Sequence, residues 1–262
     1  MNREEQDKFI LFSRIGMVTL SFLLLIGLGI HYVPQIIETS VQSADRKLPI
    51  YCVDNNENKV SLSFDAAGGN EDTADILKIL DKYNVKVTFF MTGGWVEKYP
   101  DDVKAIAAAG HDLGNHSENH KQMSTLSKEE CAEELMKAHN KVKKLTGKDM
   151  ILFRPPYGDY NNTVIDVVNE NGYHCIQWDV DSLDWKDYGV DSIINTVLNH
   201  KHLGSGSIIL CHNGAKFTKD ALESLIKGLQ EKGYTIVPIS QLIYTDNYEM
   251  DHEGRQFQSK KE

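Results

Sequence analysis

The chain has few basic residues, few cysteines and only one long apolar run. Its 262 residues carry 28 Lys and Arg against 38 Asp and Glu, which gives a formal net charge of −10. Nucleic-acid binding depends on neutralising phosphates with Lys and Arg, so this balance argues against a nucleic-acid partner. A neutral or cationic partner such as a glycan fits better, although an acidic surface is often only a means of staying soluble.

Cysteine pairs that would indicate a redox or metal motif are also missing. Four cysteines are present, and none lies in a C-x-x-C segment. Cys175 and Cys211 lie in apolar, strand-like runs, so we expect buried free thiols there. Three disulfide connectivities remain open if the domain lies in an oxidising compartment. The 41% apolar and 25% charged residues are typical of a globular protein, and the length suffices for one α/β barrel or one large sheet domain.

The long apolar run is Ile15–Val33, whose 19 residues include no charged side chain. As a helix with about 1.5 Å rise per residue it would span roughly 28 Å, close to the hydrocarbon thickness of a bilayer. The apolar core of a cleaved signal peptide is usually shorter, so the run favours an uncleaved anchor. Three basic residues precede it and none follows before Arg46, which predicts a cytoplasmic N-terminus. We therefore expect a single-pass cell-membrane protein with an extracellular domain, in which residues 1–34 form the N-terminus and anchor.

Strand-like and helical patterns alternate about seven times in residues 50–245, which follow a polar linker at 35–49. Such alternation predicts a parallel sheet, either open or closed into a barrel. Two of the helices are marked by the capping box Ser127–Glu130 and by i, i+3, i+4, i+7 spacing in Leu222–Leu229. Residues 246–262 are charged and almost free of aliphatic side chains, which predicts a disordered tail.

Chemically functional residues recur at or just after the predicted strand ends, namely Asp65, His116, Arg154 and His212. In parallel barrels the carboxyl ends of the strands meet at one edge, where catalytic residues gather. His116 and His120 are four residues apart and form a plausible pair of metal ligands, although two ordinary loop histidines are an alternative. The spacing differs from that of zincins, in which a glutamate directly follows the first histidine.

These residues belong to five short sequence segments, which follow one another in a fixed order along the chain. They are Ser63-Phe64-Asp65, His116-Ser117-x-x-His120, Arg154-Pro155-Pro156-Tyr157, Asp181-x-x-Asp184-Trp185 and Leu210-x-His212. This order resembles the five motifs of the polysaccharide deacetylases, the NodB-homology domains of carbohydrate esterase family 4. The resemblance covers about Ile50–Tyr244. The Phe-Asp-Ala-Ala variant, followed by Gly-Asn-Glu-Asp-Thr, is most similar to the branch found in spore-forming Gram-positive bacteria.

The resemblance implies a distorted (β/α) barrel of about seven strands, a divalent metal that is usually zinc, and hydrolysis of N-acetyl groups on a cell-wall glycan such as peptidoglycan. It also implies roles for four catalytic residues. Asp65 matches the base that takes a proton from the attacking water, and Arg154 matches the residue that holds this base. His212 matches the acid that protonates the leaving amine, and Asp184 matches the carboxylate that tunes this histidine. Amide hydrolysis needs both proton transfers.

Five further residues acquire binding roles from the same resemblance. His116 and His120 match metal ligands. Tyr157 matches the residue whose backbone N–H stabilises the oxyanion and whose ring lines the groove. Trp185 and Leu210 match walls of the acetate pocket.

One position departs from the family pattern. The first motif of the family normally has two adjacent aspartates, and the second completes a carboxylate–His–His metal site. Ala66 occupies that position here. Catalytic zinc normally takes three protein ligands, so the two histidines alone predict weaker binding. The candidates for a third oxygen are Asn70, Glu71 and Asp72, or Asp65 turned towards the metal.

The sequence therefore supports a membrane-anchored, metal-dependent N-deacetylase of peptidoglycan, and the resemblance to the spore-former branch implies a role in sporulation. A second hypothesis is a catalytically impaired protein that has kept the NodB fold and binds glycan or scaffolds the assembly of wall or spore. A third hypothesis, an O-acetyl esterase that uses the same residues, differs only in the leaving group.

Overall fold

The computed structural model describes Met17 and residues 46–259. The predicted anchor Ile15–Val33 lies outside the described residues except for Met17. Within the described part of the chain, no helix is both long and apolar enough to cross a membrane. The sheet and the helices belong to a compact unit that begins at Lys47.

Eleven strands, numbered along the chain, occur in the described residues. They are β1 Cys52–Val53, β2 Lys59–Ala66, β3 Thr88–Met91, β4 Asp112–Asn115, β5 Leu152–Phe153, β6 His174–Cys175, β7 Val180–Asp181, β8 Ile208–His212, β9 Thr235–Ile236, β10 Tyr248–Met250 and β11 Arg255–Gln258. Seven of them form a parallel sheet in the order β6-β5-β4-β3-β2-β8-β7, and β9 pairs with the start of β2. The predicted parallel α/β sheet of about seven strands is confirmed, as a curled half-barrel.

Seven α-helices alternate with these strands in the described residues. They are α1 Thr73–Lys82, α2 Gly93–Lys98, α3 Pro100–Ala108, α4 Lys128–Thr146, α5 Asn162–Glu170, α6 Val190–Leu198 and α7 Thr218–Glu231. The capping box predicted for α4 is present, since Ser127 and Glu130 each accept a hydrogen bond from the backbone N–H of the other. Gly147 ends this helix with a φ of 71°, a left-handed conformation that glycine adopts without steric cost.

Strand β2 shows how the alternation of side chains divides the core. Leu62, Phe64 and Ala66 belong to the apolar cluster that includes the helices. The intervening side chains face the other side of the sheet, where the Ser63 hydroxyl donates to the Ile209 carbonyl at 2.8 Å. Because successive side chains point to opposite faces, Asp65 faces the barrel interior while Ala66 is buried against the helical layer.

The prediction of a disordered tail at 246–262 is wrong for most of that segment. Strand β11 pairs in parallel with β1 and antiparallel with β10, forming a second sheet of three strands. Gln256 is fully buried, and its side chain accepts from the Tyr244 backbone N–H at 2.8 Å and donates to the Tyr244 carbonyl at 2.6 Å. Order here comes from backbone pairing and one buried amide rather than from aliphatic side chains, so composition did not indicate it.

Candidate active site

The residues from the five motifs converge on one cavity of about 750 Å³ at the carboxyl ends of the strands. Seven of the nine predicted site residues line it: Asp65, His116, His120, Tyr157, Trp185, Leu210 and His212. The other two, Arg154 and Asp184, are fully buried and contact cavity residues through hydrogen bonds. The structure thus brings together side chains that are up to 147 positions apart in the sequence (65 to 212).

Asp65 is held by a buried arginine. Arg154 Nη1 donates to Asp65 Oδ1 at 2.8 Å, and Nη2 donates to the Gln177 carbonyl at 3.2 Å. The guanidinium lies 4.1 Å from the centroid of the Phe90 ring. Phe90 has room for this contact because the neighbouring strand carries Gly114, where a Cβ would lie only 2.4 Å from a ring atom. Burial alone would raise the pKa of Asp65, but Arg154, His116 and His212 together lower it below its ordinary value.

His212 lies beside a second buried carboxylate. Asp184 Oδ1 accepts from His212 Nδ1 at 2.7 Å, and Asp184 Oδ2 accepts from the His212 backbone N–H at 2.7 Å. The Thr218 hydroxyl donates to the same Oδ2 at 2.6 Å. Burial lowers the pKa of His212, but the hydrogen bond and charge of Asp184 outweigh it and raise this pKa above its ordinary value. The ring therefore keeps its proton to higher pH, with Nε2 free of the Asp184 bond.

The two histidines of the second motif lie together in the cavity, with ring centroids 4.9 Å apart. His116 Nδ1 lies 2.7 Å from the Arg154 carbonyl, and because a carbonyl can only accept, this nitrogen carries the proton. Nε2 is then the lone-pair nitrogen, and it lies 3.6 Å from Asp65 Oδ2. Burial lowers the pKa of His116 to about 4, which keeps the imidazole neutral as metal ligation requires. The His120 ring also packs edge-on against Tyr157, with 4.5 Å between centroids.

A buried glutamate fixes the loop between these histidines. Ser117 and His120 have φ values of 66° and 55°, which are left-handed and unusual for residues other than glycine. Glu134 on α4 accepts from the Asn119 backbone N–H at 2.8 Å and from the Asn119 side-chain amide at 2.7 Å. Lys121 pairs with the same carboxylate at 3.1 Å. We call Glu134 and Asn119 the loop clamp.

The residues present supply two of the three protein ligands that a catalytic metal normally takes. No group of three His, Cys, Asp or Glu side chains close enough to hold a metal is found in the described residues. Glu71 and Asp72 therefore do not complete the histidine pair, and the Asn70 amide donates instead to Asp102 Oδ2 at 2.7 Å. Glu71 and Asp72 are therefore wrong as replacements for the missing carboxylate in this structure, whereas the Asn70 side-chain oxygen stays a prediction, because the bond to Asp102 uses only the amide nitrogen. The two imidazoles still fit a divalent cation, because His116 Nε2 is oriented by the bond from its other nitrogen.

Several residues at the site were not predicted from the sequence. Trp178, which belongs to none of the five motifs, lines the cavity and lies 5.6 Å from the Arg154 guanidinium. Its position directly after a strand-like run is the signal that marked Asp65. Thr218 and Glu134 carry no such signal, because both lie in helices and reach the site only through the tertiary fold.

Comparisons with known protein sequences indicate the same family as the motifs do. The polysaccharide deacetylase family model matches residues 53–176. A peptidoglycan-N-acetylglucosamine deacetylase from Bacillus cereus is 32% identical over 229 residues, which make up 82% of this chain and 82% of that protein. A peptidoglycan-N-acetylmuramic acid deacetylase from Bacillus subtilis is 32% identical over 202 residues, 74% of each protein.

Solved structures include a CE4 family pseudoenzyme from Bacillus anthracis. It aligns with a TM-score of 0.72 and 31% identity, covering 82% of this chain and 73% of that one. A mutant described as a CE4 family pseudoenzyme with restored enzymatic activity aligns with a TM-score of 0.72 and 34% identity, covering 79% of this chain and 72% of that one.

Proposed function

Since this chain belongs to the polysaccharide deacetylase family, we propose that it is a hydrolase that removes N-acetyl groups from peptidoglycan and releases acetate. The observation that carries the proposal is the pair formed by Asp65 and His212 at one cavity. One is a buried carboxylate with a lowered pKa, and the other is a histidine with a raised pKa. Amide hydrolysis needs a base and an acid whose pKa values differ in this direction.

Asp65 acts as the base. Arg154 occupies Oδ1 and so fixes the orientation of the carboxylate, while Oδ2 faces the histidine pair and the cavity. The lowered pKa keeps Asp65 ionised near neutral pH, so it can take a proton from a water molecule that attacks the acetyl carbon. General base catalysis of this kind contributes about 100- to 10,000-fold in rate.

His212 acts as the acid on the leaving amine. Its Nδ1 is bonded to Asp184, which leaves Nε2 to deliver a proton to the amine nitrogen as the C–N bond breaks. Asp184 stabilises the imidazolium and fixes the ring orientation. The proton that Asp65 takes from water and the proton that His212 gives to the amine together balance the hydrolysis to acetate and free amine.

The remaining cavity residues recognise the acetyl group. Trp185 and Leu210 provide apolar walls for the methyl group, and the backbone N–H of Tyr157 donates to the oxyanion. Tyr157 has a φ of 60°, a left-handed conformation that costs a non-glycine residue about 1–3 kcal/mol. Such strain is often retained at functional sites.

The proposed cofactor is zinc, held by His116 and His120, because neutral imidazole nitrogens are preferred zinc ligands. When bound, the cation would polarise the acetyl carbonyl and lower the pKa of a coordinated water. The weakness of the site is that Ala66 supplies no carboxylate. We therefore expect zinc to bind less tightly than at a site with three protein ligands.

The test is acetate release by the purified protein from N-acetylated peptidoglycan. We expect release that is suppressed by a chelator and restored by zinc. The His120→Ala variant is expected to lose both zinc binding and activity, whereas His202→Ala removes a histidine that does not line the cavity and serves as the matched control. Absence of acetate release at every zinc concentration would reject the proposal.

A second function, glycan binding without hydrolysis, is favoured by two observations. Ala66 leaves the histidines without a third ligand in the described residues, and a similar solved structure is described as a pseudoenzyme. In that case the protein binds peptidoglycan and serves in wall or spore assembly. Saccharide binding without any acetate product, together with no zinc binding at micromolar metal, would support this function over hydrolysis.

The proposed location is the outer face of the cell membrane, with Ile15–Val33 as a single-pass anchor and the catalytic domain outside. The uncharged length of that run and the basic residues before it support this location. A sporulation role rests on the Phe-Asp-Ala-Ala variant of the first motif. Fractionation of cells and protease accessibility of the intact protein test the location, and expression timed against sporulation tests the role.

A further inference from the structure

A buried asparagine supports the loop that carries the two histidines. Asn115 is the last residue of β4 and is fully buried. Its Oδ1 accepts from the backbone N–H of Ser117 at 2.9 Å, at the residue whose φ is 66°. The Ser117 hydroxyl accepts in turn from the His120 backbone N–H at 3.0 Å. The Asn115 amide is therefore connected to the backbone of a proposed metal ligand, provided that its oxygen points at Ser117.

Two groups hold the Asn115 amide in that orientation. Its Nδ2 donates to the Leu135 carbonyl at 2.8 Å and to the Tyr173 hydroxyl at 3.2 Å. Because a carbonyl can only accept, the Leu135 contact identifies this atom as the amide nitrogen. Burial raises the pKa of Tyr173 to about 12, so the hydroxyl keeps its proton. A hydroxyl can donate as well as accept, and its contribution here depends on where that proton points.

A histidine on α4 gives the Tyr173 proton its direction. His139 Nδ1 is hydrogen-bonded to the Tyr173 hydroxyl, and His139 Nε2 lies 3.1 Å from Asp149 Oδ1. The pKa of Asp149 is lowered, chiefly by the hydrogen bond from Lys143, so this group is a carboxylate that accepts. In the neutral imidazole the proton is then on Nε2, and Nδ1 accepts from the hydroxyl. The lone pairs of the tyrosine oxygen are left for Asn115.

We propose that Tyr173 and His139 are positioning residues for the pair of metal ligands, because they fix the Asn115 amide and, through it, the loop between the two histidines. Neither Tyr173 nor His139 lines the cavity, so both act only through other residues. We call Asn115, Tyr173 and His139 the support network. It holds the loop at Ser117, whereas the loop clamp holds it at the opposite end. That the loop binds zinc rests on the proposed function, but the hold of the support network on the loop does not.

The first variant is Tyr173→Phe, which removes the hydroxyl and keeps the buried ring. Amide hydrogen exchange is measured in the metal-free protein, and zinc affinity is measured by calorimetry. We expect the amides of Ser117 and His120 to exchange about 2- to 12-fold faster and zinc to bind about 2- to 12-fold more weakly, the change that one hydrogen bond makes. Tyr83→Phe is the matched control, since it removes a hydroxyl that bonds Glu223 at 2.6 Å outside the cavity. Both quantities are expected to stay native in this control.

Two substitutions at position 139 separate the two ring nitrogens. An asparagine places its side-chain oxygen close to where Nδ1 lies, whereas a glutamine reaches the place of Nε2. We expect His139→Asn to keep native exchange in the loop, because Tyr173 retains an acceptor. His139→Gln is expected to show the faster exchange of Tyr173→Phe. A role in overall stability alone would lower Tm in both variants and would produce no contrast between them.

Native exchange of the loop amides in Tyr173→Phe, or equal exchange in His139→Asn and His139→Gln, would overturn the support network. Faster exchange with unchanged zinc affinity would mean that the network holds the loop without positioning the ligands, which also overturns the proposal. If the native protein binds no zinc, the proposed cofactor fails, and the exchange of the loop amides alone decides the support network. Tyr173→Phe changes one buried atom, so we expect this variant to fold.

Discussion

Asp65 and His212 are direct partners across the two adjacent parallel strands β2 and β8. Their side chains therefore emerge at the same level of the sheet and reach the same cavity. Each has its own buried partner, Arg154 for the carboxylate and Asp184 for the histidine. The two partners move the pKa values in opposite directions, down for Asp65 and up for His212. One pair in the sheet thus provides a base and an acid at the same pH.

Replacing Asp65 by asparagine tests the base. We expect Asp65→Asn to lower kcat by about 100- to 10,000-fold, because the amide cannot accept a proton from water. Asparagine keeps the volume of the side chain and an oxygen for Arg154. The measurement is acetate release, with circular dichroism to verify the fold. Asp101→Asn changes a fully solvated carboxylate and is the control. Full activity in Asp65→Asn would remove the proposed mechanism.

The raised pKa of His212 predicts where activity falls on the alkaline side. The imidazolium form is present below this pKa, so activity persists above the ordinary value of 6.5 and is lost as pH rises further. The stability that this shift contributes follows the same direction: it is fully present below 6.5 and is lost as pH rises through the folded-state pKa. We expect Asp184→Asn to move the alkaline limb of kcat/KM to lower pH, because it removes the charge that stabilises the imidazolium.

The control for this profile is Asp187→Asn, which removes a negative charge from the cavity but no hydrogen bond to His212. Its alkaline limb is expected to match that of the native protein. An alkaline limb that does not move in Asp184→Asn would show that another group donates the proton.

The sequence predicted those features that repeat locally. Alternation in β2 placed Asp65 at a strand end, and the capping box at Ser127 began α4. Residues that reach the site only through tertiary contacts have no such local pattern in the sequence. Thr218 donates a hydrogen bond to Asp184, which lies 34 positions earlier in the sequence. The sequence around Thr218 shows only the periodicity of an ordinary helix. The ordered segment at Tyr248–Gln258 was missed because backbone pairing with β1 depends on a strand about two hundred positions away.

Restoring a carboxylate at position 66 tests whether the missing ligand limits the metal. We expect Ala66→Asp to bind zinc more tightly and to raise activity, because Ala66 is the last residue of β2 and a carboxylate there can turn from the helical layer towards the two histidines and complete a catalytic site. Calorimetry with zinc measures the affinity, and thermal unfolding measures the cost of the change, since Ala66 is fully buried among apolar side chains. Ala105→Asp adds the same charge on the exposed surface of α3, away from the cavity, and is the control. Unchanged zinc affinity with a lower Tm would mean that the new carboxylate stays in the core.

We predict that the loop clamp, which lies outside the cavity, sets the position of His120. We expect Glu134→Ala to weaken zinc binding by about 10- to 100-fold, the range typical when a residue that supports a metal ligand is lost. The physical reason is that Ser117 and His120 hold left-handed conformations that the bonds from Asn119 to Glu134 stabilise. Without those bonds the loop can relax, and the imidazole loses its orientation. Zinc affinity measured by calorimetry checks this directly.

Glu133→Ala provides the matched control for the loop clamp. Glu133 is the adjacent glutamate on α4, its side chain is 59% exposed, and it pairs with Lys137 on the surface. Removing it changes net charge by the same amount but leaves the loop intact, so zinc affinity is expected to stay within about twofold, as exposed ion pairs contribute little. The double variant Glu134→Gln with Asn119→Asp is a second test. It restores a side-chain hydrogen bond between the two positions, in which the glutamine now donates and the aspartate accepts. If Glu134→Ala binds zinc as tightly as Glu133→Ala does, the loop holds His120 without the clamp. The strain at Ser117 and His120 must then be balanced within the loop, where the Ser117 hydroxyl accepts from the His120 backbone N–H at 3.0 Å.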